Sequence, residues 1–383
     1  MKKILFMICC FFVTFNYVSA KENELSPNAK SAIIIEASTG NVIYEYNADK
    51  SLPPASMTKM MSLLLIMEAI DNNVIKYNDM VTISSNASSM GGSQILLETG
   101  EQMSVDDLLK GITVASGNDA VVALAERIGG TEANFVKMMN ERAKELGLKN
   151  TNFNNCHGLD SKGHVSSARD MALIARELVK HQKILDYSSI YETYLRKGTD
   201  KQTWLVNTNK LVRFKPGVDG LKTGYTKESG YCLTATMNKD NMRVIAVAMG
   251  EPDSNTRNNE ISSMLDYSYA QYAIETIYTR TSVIDNIKLD SSNIDNVDIV
   301  PLEDVNILYK KVDGKKNISY KIKYNKINSA IKKGDVVGKL IVKENDEIIK
   351  EVNVTVIKDV NKASYLDILS KNLKKIIVGD IRI

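Results

Sequence analysis

The chain has 383 residues, with 49 Lys and Arg against 46 Asp and Glu, three His and four Cys. A charge balance this even gives no reason to expect a nucleic-acid partner, and so few cysteines exclude a disulfide scaffold. The length fits two or three structural units.

The first residues read as an export signal. Lys2 and Lys3 precede an apolar stretch from Ile4 to Phe15, and Val18-Ser19-Ala20 offers a small-residue cleavage site. The stretch is short for a membrane span, so residues 1–20 are expected to be removed on export. Cys9 and Cys10 leave with them, and Cys156 and Cys232 are expected to remain as free thiols.

Residues 32–36 and 42–46 read as a hairpin turning at Thr39-Gly40-Asn41. Ser56-Met57-Thr58-Lys59 then leads into an apolar run from Met60 to Ile70. If Ser56 opens a helix, Lys59 lies one turn on and on the same face. A serine is a weak nucleophile near neutral pH, and a lysine whose pKa is lowered by burial can activate it. The competing reading is a serine cap followed by an exposed lysine. A second match, Ser329-Ala330-Ile331-Lys332, precedes Lys333-Gly334-Asp335 and reads as a solvated loop.

The middle of the chain is helical. Ser104-Val105-Asp106-Asp107 resembles a capping box, residues 119–128 form a helix stopped by Gly129-Gly130, and residues 167–180 form another. Ser116-Gly117-Asn118 falls in the loop between the first two of these helices. The same pattern recurs at Ser84-Ser85-Asn86 and Ser291-Ser292-Asn293, in unremarkable polar stretches. Strand character returns at 231–236 and 243–248, linked by a turn at 238–241. Lys222-Thr223-Gly224 opens these returning strands, and the bare glycine would let a ligand approach the strand backbone. A helix is expected over 258–278, with Ile261, Leu265, Tyr269 and Tyr272 on one side. Strands at both ends and helices between predict one sheet made from both chain ends with a helical insertion, an α/β (α+β) fold.

Beyond residue 283 short strands are expected at 297–300, 305–309, 319–324, 336–342 and 352–356, a small all-β unit of sandwich type. Residues 364–377 read as an amphipathic helix, with Tyr365, Leu366, Leu369, Leu373, Ile376 and Ile377 as its apolar stripe and Lys371, Lys374 and Lys375 as its charges. Such a helix can lie in a membrane interface beside anionic headgroups, or dock on the protein itself. The expected division is a signal at 1–20, a catalytic domain at 21–283, an all-β domain at 284–360 and an anchoring helix at 361–383.

Ser-x-x-Lys, Ser-x-Asn and Lys-Thr-Gly in this order resemble the signature of penicillin-binding proteins and serine β-lactamases. The chain most resembles the low-molecular-mass D-alanyl-D-alanine carboxypeptidases. Pro54-Ala55-Ser56-Met57-Thr58-Lys59, Ser116-Gly117-Asn118-Asp119-Ala120, His157-Gly158-Leu159-Asp160, Ser166-Ser167-Ala168-Arg169-Asp170-Met171-Ala172 and Asp219-Gly220-Leu221-Lys222-Thr223-Gly224 all carry the likeness. The resemblance implies a β-lactamase/transpeptidase-like catalytic domain and a Ser56 acyl-enzyme formed from a peptidoglycan stem peptide ending in D-Ala-D-Ala. It implies Lys59 as the base, Ser116 as a proton relay and Asn118 as holder of the acyl amide. Lys222, Thr223 and Arg257 would serve the substrate carboxylate, and the backbone N–H groups of Ser56 and Tyr225 the oxyanion. Gly224 completes that strand motif. β-Lactams would be covalent inhibitors, and the tail helix would hold the exported enzyme to the membrane surface.

Two departures stand out. Tyr225 occupies a position where several members carry histidine, which leaves the backbone donor intact. Gly117 stands where class A β-lactamases have Asp, and no equivalent of their deacylating glutamate is evident. No cofactor is implied, and no zinc motif appears around His157, His164 or His181, the first two of which read as loop-structuring residues. The alternative functions are a wall-peptide or β-lactam sensor without turnover, and a D,D-endopeptidase of cross-links built on the same residues.

Overall fold

The computed structural model describes residues 25–289, 292–294, 296–327 and 330–377. The expected signal and Ser329 lie outside these residues.

β1 (Ser31–Glu36) and β2 (Val42–Tyr46) form the expected hairpin. Helix α1 (Lys59–Asp71) follows, then β3 (Met80–Thr82), the short α2 (Ser85–Ser88) and β4 (Gln102–Ser104). The helical insertion continues with α3 (Val105–Val114), α4 (Asn118–Gly129), α5 (Glu132–Glu145), α6 (Ala168–Leu178) and α7 (Lys183–Ser188). A hairpin of β5 (Glu192–Leu195) and β6 (Thr203–Val206) and the short α8 (Leu211–Phe214) lead back to the sheet. The sheet closes with β7 (Val218–Thr226), β8 (Gly230–Lys239) and β9 (Met242–Glu251), and α9 (Ser254–Gln271) packs on it.

The strand order is β2-β1-β9-β8-β7, with every pairing antiparallel, so both chain ends build one sheet as expected. β1 is buried along its whole length because the sheet is covered on both faces. Its side chains alternate between the layers: Ile33 and Ile35 join the core shared with α1, α3, α4 and α6, whereas Ile34 joins Ile261, Met264 and Leu265 of α9. α1 is the central rod. Ten of its thirteen residues are buried, which explains an apolar run without a polar face.

Several local expectations hold for a stated reason. Ser104 Oγ accepts the N–H of Asp107, and Ser167 Oγ that of Asp170, so both caps form. Helix α5 fully buries only the narrow stripe Phe135, Met139 and Ala143, which does not stand out in the sequence among its charged residues.

One expectation is overturned. The helix anticipated over 258–278 runs instead from Ser254 to Gln271, and Tyr272–Tyr278 is a strand, β10. Asp253 Oδ1 accepts the N–H groups of Asn255 and Thr256 and starts the helix earlier. Ile274, Thr276 and Ile277 are β-branched, and the segment gains a partner strand through the register Ile274↔Leu308 and Thr276↔Asn306.

The remaining strands are β11 (Asp285–Lys288), β12 (Asn296–Pro301), β13 (Val305–Lys310), β14 (Ile318–Tyr324), β15 (Gly338–Glu344) and β16 (Glu347–Val356). They form a β11-β12-β16-β15-β14 sheet and a β10-β13 pair around an apolar core that includes Val297, Val305, Leu340 and Val354. The β15 strand expected from Val336 begins at Gly338. Helix α10 (Tyr365–Ile377) ends the described chain, with Tyr365, Leu366, Ile368, Leu369 and Leu373 exposed.

Candidate active site

Ser56 sits in a 3-10 turn, Ala55–Thr58, that feeds directly into α1. The turn makes no side-chain cap, so the reading of Ser56 as a cap fails. Lys59 is the first residue of α1 and is fully buried, which excludes an exposed lysine. Its Nζ lies 3.1 Å from Ser56 Oγ, 2.6 Å from Asn118 Oδ1 and 2.7 Å from the His157 carbonyl. Burial pushes its pKa down from 10.5 to about 7.

These contacts orient the amine. A neutral amine carries two hydrogens and one lone pair. Asn118 Oδ1 and the His157 carbonyl can only accept, so they take both hydrogens. The lone pair is left facing the Ser56 hydroxyl, the arrangement required to remove its proton. Asn118 is fixed in turn, because its Nδ2 donates to the Gly91 carbonyl at 2.6 Å. It therefore holds Lys59 as well as facing the cleft.

The loop between α3 and α4 delivers the second motif. Ser116 adopts a positive φ of 63° and is 3% exposed, and its Oγ has no partner among the described residues. A buried hydroxyl without a partner is costly unless a ligand or a transferred proton completes it. Asp119 anchors the same loop by accepting the N–H groups of Ile95, Leu97 and Ala120.

The third motif lies on β7, the edge strand of the sheet, whose outward backbone groups face the cleft. Lys222 is 1% exposed and donates to the Thr223 carbonyl at 3.1 Å. Burial, then the charges of Lys59 and Arg257, push its pKa well down. No carboxylate pairs with either lysine among the described residues, so the site is short of one anion. Thr223 Oγ1 donates to Thr208 Oγ1 at 2.8 Å. Gly224 was expected to admit a ligand, but what approaches is the nucleophile's own turn. A Cβ there would meet the Pro54 carbonyl at 2.8 Å and Ala55 Cβ at 3.1 Å. Tyr225 is exposed, and its ring lies 4.3 Å from that of Tyr231.

Arg257, in the first turn of α9, is 5% exposed and is no surface charge. Its Nη1 reaches the Cys232 carbonyl at 3.5 Å, and its Nη2 donates to Asn258 Oδ1. It joins the cleft through its field on Lys222 rather than by a direct contact.

Some contributors carried no readable signal. The His157 carbonyl is a backbone group, and the loop bearing it reaches Ser56 because Gly158, at φ +93°, has no Cβ to strike the Ala55 carbonyl. Thr208 belongs to no motif. His164 Nδ1 accepts the Asn154 N–H, so its Nε2–H donates to Thr58 Oγ1 at 2.8 Å and braces the nucleophile's turn. Burial pushes His157 and His164 down to about 4, and both are neutral loop-structuring residues. Cys156 and Cys232 are buried free thiols.

This geometry has close relatives. Residues 17–253 match the family model described as D-alanyl-D-alanine carboxypeptidase. The chain belongs to that family. Residues 272–362 match a second model, the penicillin-binding protein 5 C-terminal domain. The D-alanyl-D-alanine carboxypeptidase DacF of Bacillus subtilis is 47% identical over 92% of this chain and 91% of its own. DacC of Escherichia coli is 33% identical over 89% and 86%. Penicillin-binding protein 5 from Haemophilus influenzae superposes with a TM-score of 0.72 at 32% identity, over 88% of this chain and 98% of that one. The fold is thus a penicillin-binding-protein catalytic domain followed by a β domain, and the chain is a serine-type carboxypeptidase.

Proposed function

We propose that this carboxypeptidase removes the terminal D-alanine of peptidoglycan stem peptides through a Ser56 acyl-enzyme that β-lactams also form. The observation that carries the reading is a fully buried Lys59 amine 3.1 Å from Ser56 Oγ, with its pKa pushed down to about 7.

Lys59 takes the Ser56 proton as Oγ attacks the carbonyl between the two D-alanines. The C–N bond breaks, the proton passes to the leaving D-alanine amine, and an ester remains on Ser56. Ser116 is suited to relay that proton because its hydroxyl is otherwise unpartnered. Water then adds to the ester as Lys59 takes its proton, the C–O bond to Ser56 breaks, Ser56 Oγ recovers that proton from Lys59, and the shortened peptide leaves. The substrate carboxylate supplies the anion that Lys222 lacks, with the Thr223 hydroxyl turning its hydrogen from Thr208 to the carboxylate and Arg257 as field. Backbone N–H groups of Ser56 and Tyr225 serve the developing oxyanion.

The expected export signal supports a place in the cell-wall space. The exposed apolar side of α10 favours a membrane surface as its resting place. Among the described residues no helix is long and apolar enough to cross a membrane.

D-Alanine release from diacetyl-L-lysyl-D-Ala-D-Ala tests the reading. Release by the native protein and none by Ser56→Ala is expected. Penicillin binding without release would make the protein a sensor, and cleavage confined to a cross-linked dimer would make it an endopeptidase.

A further inference from the structure

The Lys59 amine takes its direction from a backbone carbonyl, and that carbonyl has supports of its own. Residues 155–158 form a strap in the connection between α5 and α6, bent where it crosses the start of α1. Two successive peptide planes of the strap are gripped at both ends. In the first, the Cys156 carbonyl accepts the Ser62 hydroxyl at 2.6 Å, and the His157 N–H donates to Asn155 Oδ1 at 3.3 Å. In the second, the His157 carbonyl accepts from Lys59 Nζ at 2.7 Å, and the Gly158 N–H donates to Asn155 Oδ1 at 2.6 Å. Lys59 and Ser62 stand one turn apart on α1, so one face of the helix holds both carbonyls. The Cys156 N–H meets Glu132 Oε1 of α5 at 3.4 Å.

Ser62 is fully buried, and its hydroxyl has one hydrogen to give. Met139 Sδ lies at 3.9 Å, so the Cys156 carbonyl at 2.6 Å takes it. No step of the reaction uses this hydroxyl. Without it the Cys156 carbonyl is buried and lacks a donor, a cost the strap relieves by turning. The second plane turns with the first, and the His157 carbonyl leaves Lys59. A neutral Lys59 amine then gives that hydrogen to Ser56 Oγ, 3.1 Å away, and its lone pair points elsewhere. Loss of Asn155 Oδ1 frees both planes from the opposite side.

We propose that Ser62 and Asn155 are positioning residues: gripping the strap from its two sides, they hold the His157 carbonyl where it turns the Lys59 lone pair toward Ser56. They act through Lys59, not on the substrate. The proposal rests on the carboxypeptidase reading above and adds to it two residues outside the three motifs.

The titratable groups facing Lys59 are Cys156 and His157 on the strap, Asp119 on α4 and Lys222 on β7, and replacing Ser62 or Asn155 removes none of them. A protonated Lys59 has three hydrogens to place. Losing the His157 carbonyl therefore penalises the charged form and moves the pKa below its native value of about 7.

Acylation of Ser56 by benzylpenicillin, followed against penicillin concentration and pH in Ser62→Ala, Asn155→Ala and Asn155→Asp, tests the proposal. The rate constant is read from labelled molecules alone, so an inactive fraction does not enter it. Each alanine variant should show a plateau about tenfold below native, an acid limb moved to lower pH and a native half-saturating concentration. Asn155→Asp keeps an acceptor oxygen and should keep the native plateau. A plateau within about twofold of native in one alanine variant removes that residue from the proposal, and in both overturns it. A lowered plateau with an unmoved limb marks general loosening and also overturns it, as does an aspartate variant as slow as the alanine one. Should Ser62→Ala fail to fold, the two Asn155 variants decide by the same criteria. No label on Ser56 in the native protein would fail the carboxypeptidase reading and the proposal with it, whereas native labelling with unaltered variants fails the proposal alone.

Discussion

The catalytic cleft and the C-terminal β unit treat charge in opposite ways. In the cleft, Lys59, Lys222 and Arg257 are each at most 5% exposed, and none forms an ion pair among the described residues. In the β unit the core is made of Val, Ile and Leu, and cations such as Lys316 and Lys339 pair with Glu344 and Glu351 at its surface. Burying an uncompensated cation is costly. A fold tolerates that cost where a substrate supplies the missing anion or where a lowered pKa is needed for chemistry. The contrast marks the cleft as the working part and the β unit as support.

The largest effect expected from this contrast is at the nucleophile. Ser56→Ala should lower penicillin labelling and D-alanine release by more than about a thousandfold. Labelling at the native rate would show that another residue reacts. Next, Lys222→Ala should cut kcat/KM for the dipeptide-terminated substrate by about a hundredfold, with much of the loss in KM. A drop below about threefold would mean that the substrate carboxylate is held elsewhere.

The β unit should behave differently. Leu340→Ala removes a fully buried side chain and should cost about 2–5 kcal/mol of that unit's stability. A lowered first thermal transition would register the change, while the penicillin acylation rate at 25 °C stays native. A parallel fall in acylation would join the two regions into one working unit. Smallest of all, deleting residues 362–383 should leave hydrolysis unaltered and move the protein from anionic vesicles to the supernatant. Unchanged vesicle binding would discard the anchor.

Much of this division was legible in the chain. The Ser56–Lys59 spacing, the loop at Ser116 and the strand after Lys222 are local patterns, and local patterns survive folding. The sheet drawn from both ends followed from where β-branched runs sit. What escaped was set by tertiary contact. The His157 carbonyl and the Thr208 hydroxyl reach the site only when distant segments meet. The step from α9 to β10 was hidden for the same reason, since Tyr272–Tyr278 becomes a strand by pairing with β13, about thirty residues away. Gly224 was correctly singled out as a point of close approach, but the approaching partner was the protein itself.

The central claim is that Ser56 is activated by a neutral lysine. The rate constant for benzylpenicillin acylation of Ser56, followed from pH 5 to pH 10 with the adduct mapped to the peptide ending at Lys59, tests it most directly. A protonated Lys59 has no lone pair, so the rate should fall about tenfold per pH unit below about 7 and level off above it. A rate that keeps climbing to a limb near 10, the range of an ordinary lysine, or an adduct on any other peptide, would contradict the account.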